Sequence, residues 1–159
     1  MPIEPPGRPL ADDELLIERT FAAPAALVFD LWARREHMLQ WMGPKDCPCI
    51  EADLDFRVDG EWSACVLMQA HGQARMGGRY LEIEPGRRIV MTFQWRDGSP
   101  DPESVITLTF TERDGKTVQT FHQAPFHTVE RRDSHVGGWN SVFDKEQAYA
   151  EAKARENVR

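Results

Sequence analysis

An α+β fold is predicted, in which a curved antiparallel sheet carries one long helix, and three observations predict it. First, between Val129 and Arg159 the apolar residues Val129, Val136, Trp139, Phe143, Ala150 and Ala154 fall on one stripe at 100° per residue. Arg132, Asn140 and Gln147 lie inside or beside that stripe, while Lys145, Glu151, Arg155 and Glu156 lie opposite it. Second, from Cys49 to Gln123 the hydrophobic period is two, the spacing of strands with one wet face. Third, the turns joining those strands are too short for crossover helices, so neighbouring strands run antiparallel.

Taken in order, residues 1–14 are proline-rich and aperiodic and are expected to form a flexible N-terminal arm. Residues 15–159 are expected to form a single domain. Leu15, Ile17 and Phe21 suit a first strand. Pro24 then stands where a first helical turn tolerates it, ahead of Leu27, Val28, Leu31 and Trp32 at helical spacing. His37 to Trp41 is a second short helix, stopped by Gly43-Pro44. Ala52, Leu54 and Phe56 alternate with acids, and Asp59-Gly60 turns the chain into a strand over Glu61–Met68. Gly77-Gly78 is expected to interrupt the pattern before a strand over Arg79–Glu84, and Pro85-Gly86 is a strong turn. Ile89, Met91, Phe93 and Trp95 share the next core-facing row. Asp114-Gly115 is the chemistry of a two-residue type I′ hairpin. It sets Phe110 opposite Gln119, Leu108 opposite Phe121 and Ile106 opposite Gln123, with Gln119 and Gln123 inward and His122 outward. About six to seven strands result.

Composition narrows the function classes. The chain has 159 residues, 26 acidic and 19 basic side chains and a formal charge of -7, so no basic face for nucleic acid is expected. No stretch approaches the ~18 consecutive apolar residues of a membrane span, and the first residues lack the layout of a signal peptide. A cytoplasmic protein is expected. Cys47, Cys49 and Cys65 are an odd set without a second ligand pair, so ordinary thiols are expected and no metal or other cofactor.

The order of these elements, with its punctuation, resembles the helix-grip proteins of the START/SRPBCC superfamily, and within it the family of homologues of the heat-shock-protein-90 ATPase activator. The residues that carry the resemblance run from Leu15 to Ala154. They include Ala23-Pro24 with Val28, Phe29 and Trp32, then Trp41-Met42-Gly43-Pro44, then Gly60 with Trp62 and Gly78 with Tyr80. Glu82-Ile83-Glu84-Pro85, Arg88-Ile89-Val90 with Thr92, and Gly138-Trp139 complete the series. The resemblance implies a sheet gripping the last helix, with a cavity between them that holds apolar or amphipathic small molecules in many relatives. Few relatives are enzymes. Gln123 stands beside His122 where a histidine is often found, and Met42 where an aromatic is common, which weakens a catalytic reading.

The leading expectation is therefore a binding protein for a small apolar or amphipathic ligand, held by Trp62, Met91, Trp95, Phe121, Arg132, Trp139, Asn140 and Phe143. Aromatic and thioether side chains supply apolar wall, and Arg132 or Asn140 would orient a polar or acidic group. A small hydrolase, cyclase or isomerase using the same cavity is the alternative, although His71, His122, His127 and His135 stand in no nucleophile motif, and no catalytic residue is assigned. A co-chaperone-like protein-binding module is the third reading, and a homodimer or chaperone partner stays open without a motif of its own.

Overall fold

The computed structural model describes residues 7–157 apart from His71, Asp97 and Pro100. The elements are β1 (Leu15–Phe21), α1 (Ala25–Ala33), α2 (Arg35–Trp41), β2 (Cys49–Leu54), β3 (Glu61–Met68), β4 (Gly72–Glu84), β5 (Arg88–Trp95), β6 (Ser104–Arg113), β7 (Lys116–Ala124) and α3 (Val129–Asn157). The strands form one seven-stranded sheet in the order β1-β7-β6-β5-β4-β3-β2, with every neighbouring pair antiparallel. Two short helices follow β1 and lead to the opposite edge of the sheet, and the long α3 packs on its inner face. This is the helix-grip arrangement.

The β6–β7 hairpin has the expected register. Asp114 and Gly115 adopt φ of 55° and 78°, both positive as a type I′ turn requires, and Phe110, Leu108 and Ile106 face Gln119, Phe121 and Gln123. Gln119 and Gln123 consequently point into the core. His122 lies on the other face as the alternation demands, yet it is buried there, its Nε2 3.3 Å from a Glu14 carboxylate oxygen. Glu14 also accepts a forked pair of bonds from Arg8 and one from the Ala11 N–H. Led by the Arg8 bonds, these contacts hold its carboxyl down at about 2. Residues 1–6 of the expected arm lie outside the described residues.

The glycine pair does not interrupt the strand. Gly77 and Gly78 lie inside β4, which runs unbroken from Gly72 to Glu84. A Cβ at Gly78 would come 2.0 Å from the Thr92 carbonyl oxygen on β5, so only glycine permits that approach. Trp62, opposite Gly78 on β3, lays its indole across the bare position and donates to the same Thr92 oxygen at 2.9 Å. The pair is a packing device, and its sequence looks like a turn because both uses need the missing side chain.

Helix α3 is tied to β7 by aromatic packing and by two buried amides. The rings of Trp139, Phe121 and Phe143 pack with centroids 4.7–5.7 Å apart, and Trp32 from α1 joins them. The Trp139 indole donates to Gln123 Oε1 at 2.8 Å. Nearly two turns further along the buried face, Glu146 is fully enclosed, accepting from Gln119 Nε2 at 3.1 Å and from the Trp32 indole at 3.0 Å. Burial raises the Glu146 carboxyl to about 8 despite these bonds. Val142 and Glu146 complete the buried face, which the apolar stripe alone does not reveal.

Two outcomes follow. Trp139→Ala removes a buried indole and leaves Gln123 without its donor, and should cost about 3–5 kcal/mol in urea unfolding. Glu146 keeps its proton in the fold to about pH 8 but loses it near its ordinary value when unfolded. Its contribution therefore declines as pH rises through that window. Glu146→Gln should leave the Tm near pH 5 almost unchanged, raise it near pH 8 and flatten the slope between them.

Candidate functional site

Beyond Trp139 toward its N-terminus, α3 and the sheet part to leave a cleft of about 400 Å³. The helix side is Arg131, Ser134, His135, Gly138, Trp139 and Val142, positions that recur at three, four and seven and so share one face. The sheet side is Val66 and Met68 on β3, Ala74 and Met76 on β4, and Phe93 and Trp95 at the end of β5. Met42-Gly43-Pro44, after α2, close one end. Three thioethers and three aromatic rings thus meet in one concave space, a surface that adapts to the shape of an apolar guest.

Gly138 helps make that space. A Cβ there would meet nothing within 4 Å, and any larger side chain would enter the cleft. A mid-helix glycine costs roughly 1 kcal/mol relative to alanine, and here its effect is an open wall.

The polar groups are few and mutually engaged. His135 is half-buried against Phe93, Trp95 and Phe126. Its Nδ1 is 2.7 Å from the Arg131 carbonyl oxygen, which can only accept, so the proton sits on Nδ1. Nε2 is then the acceptor for the Trp95 indole N–H at 2.8 Å. Burial pushes the His135 pKa down, opposed by the Arg131 carbonyl and by Asp101. With both ring nitrogens occupied, the imidazole is a wall element and not a poised base. Arg131, at the rim, sets its Nε and Nη2 on the Asp101 carboxylate, and that bond holds the Asp101 pKa below its ordinary value.

Of the residues expected to hold a ligand, Trp95 and Trp139 line the cleft. Trp62, Met91, Phe121 and Phe143 are buried within the packed core and do not line it. Arg132 points away from it, donating to Asp133 and to the Asp12 carbonyl. Asn140 donates to the Val136 carbonyl and accepts from Arg19. The cleft's own polar residues, Arg131, Ser134 and His135, stand one helical face over from the apolar stripe. Their shared spacing with Gly138 and Val142 was the available signal. Of the other histidines, His127 is exposed and His71 lies outside the described residues.

A family model described as "Activator of Hsp90 ATPase homolog 1-like protein" matches residues 22–151. The chain belongs to this family. Among solved structures, protein CV1439 from Chromobacterium violaceum superposes with a TM-score of 0.81 at 24% identity, over 89% of this chain and 99% of that one. The AHSA1 protein from Silicibacter pomeroyi gives 0.75 at 24% identity, over 85% and 95%. CalU16 from Micromonospora echinospora gives 0.65 at 19% identity, over 90% and 79%. At such identities the likeness speaks for the fold alone. No curated protein matches the chain. Among the described residues, no helix is long and apolar enough to cross a membrane.

The tautomer is directly testable. Long-range nitrogen NMR at neutral pH should show His135 neutral with its proton on Nδ1. A protonated Nε2 would contradict the Trp95 hydrogen bond.

Proposed function

We propose that the protein binds a small, largely apolar molecule in the cleft between the first turns of α3 and strands β3–β5. The observation that carries this is the concave, thioether- and aromatic-lined space at Gly138, within the roughly 300–1,000 Å³ typical of ligand sites. Burying apolar surface there contributes about 25 cal/mol per Å². The polar end of the ligand sits at the rim beside Ser134 and Arg131. Because the Asp101 carboxylate already balances the Arg131 charge, a hydroxyl or carbonyl suits this rim better than a carboxylate. Binding is favoured over catalysis by the engagement of both His135 nitrogens.

Thermal-shift measurements with apolar alcohols, ketones and acids of matched size test this reading. Neutral compounds should raise the Tm at least as much as the acids. Gly138→Leu should abolish the shift while keeping or raising the unliganded Tm, since leucine is the better helix former and has room to project into the cleft. Gly137→Ala, which does not line the cleft, should stabilise without affecting binding. Arg132→Met should leave the shift unchanged. Equal ligand shifts in the wild type and Gly138→Leu would place the site elsewhere.

A further inference from the structure

We infer that the cleft is gated by acid: a proton on His135 breaks the His135–Trp95 hydrogen bond and weakens binding of neutral apolar ligands. The inference rests on the cleft being the ligand site.

The geometry leaves the imidazole one way to respond to a proton. Nδ1–H is committed to the Arg131 carbonyl oxygen at 2.7 Å, so the added proton must go to Nε2. Nε2 is where the Trp95 indole N–H now donates, at 2.8 Å. Protonation places two N–H donors head to head, and no acceptor remains between them. Trp95 holds no other hydrogen bond through that nitrogen, because indole is a donor only. It is half-buried, at the last residue of β5, and packs edge-on against Phe93 at 5.3 Å. The indole therefore has to turn, and in turning it reshapes one wall of the cleft. The imidazolium left behind sits in the same wall, where an apolar ligand would keep water from it.

The groups facing His135 set where this happens. On its own helix, the Arg131 charge opposes protonation and the Arg131 carbonyl favours the charged ring. From the segment between β5 and β6, Asp101 favours protonation, though its carboxylate is shared with Arg131. β5 presents Phe93 and Trp95, and the segment after β7 presents Phe126, all uncharged. Burial dominates and keeps the ring neutral at neutral pH, so the midpoint falls below the ordinary histidine value. If the ligand binds only the neutral form, its affinity drops about tenfold for each pH unit below that midpoint, and the bound ligand in turn moves the midpoint down.

The test uses N-phenyl-1-naphthylamine, a neutral fluorescent probe, titrated against the full chain from about pH 8 to about pH 5. In parallel, NMR follows the Trp95 indole N–H, assigned with Trp95→Phe, and the His135 ring. The expected result is a loss of probe affinity with the His135 midpoint, and an indole resonance that shifts at the same pH. His135→Gln keeps an acceptor for Trp95 without titrating, and its probe affinity should be flat with pH. Probe affinity unchanged through the His135 transition overturns the gate, as does a pH dependence that persists in His135→Gln. If the wild type binds no probe at any pH, the binding reading of the cleft is the one that suffers. The NMR arm then decides the switch alone: an indole resonance moving with His135 supports it, and a stationary one overturns it.

Discussion

The pairing of two buried glutamines on β7 with two side chains on α3 is the constraint on which the rest of the structure depends. Gln123 receives the Trp139 indole, and Gln119 donates to Glu146. Four residues of strand span about 13 Å and seven residues of helix about 10.5 Å, so both contacts can form together only when the helix lies at one register and one angle over the strand. Apolar packing is non-directional and sets this register less sharply than paired polar groups do. A buried amide or carboxyl left without its partner costs roughly 1–3 kcal/mol, which makes the register unique. Trp32 adds the third side of this arrangement by donating to Glu146 from α1.

That fixed register explains why the space above the sheet is divided. Around Phe121, Trp139 and Phe143 the gap between helix and sheet is closed by rings. The turn before Trp139 presents Gly138 and His135 to strands that carry methionine and alanine, and there the gap stays open. Filled and open regions share Trp139 and Phe93, so a change in the cleft wall is felt by the residues that anchor the helix. Two of the polar side chains of the cleft are already paired: His135 with Trp95, and Arg131 with Asp101. The proposed apolar recognition, and its coupling to the protonation of His135, both rest on these existing hydrogen bonds.

Strand alternation and turn chemistry make much of the fold legible in the sequence. The Asp114-Gly115 turn determined the β6–β7 register and, through it, the inward direction of Gln119 and Gln123. Trp139 was legible as an anchor because its apolar neighbours recur at helical spacing. Gly77-Gly78 was misleading, because a glycine pair that lets Trp62 cross to Thr92 has the same letters as one that turns the chain. Glu146 reads in the sequence as a solvent-facing charge, although its spacing from Trp139, Phe143 and Ala150 places it on the buried face. Its charge argued for solvent, and only the presence of Gln119 and Trp32 makes its burial tolerable.

The cleft divides along the same line. Periodicity and turn residues determine the order of the elements and, β4 apart, most of their extents, since those depend on neighbours within a few residues. Which core-facing rings are packed and which stand at an open wall depends on where α3 lies across the sheet. That is decided by contacts between residues far apart in the chain, such as Trp95 with His135 and Trp139 with Gln123. Arg132 and Arg131 are adjacent in sequence and alike in chemistry, yet one reaches the Asp12 carbonyl and the other the rim of the cleft. A step of 100° around a helix separates them, and only the docked position of that helix decides which of the two stands at the cleft.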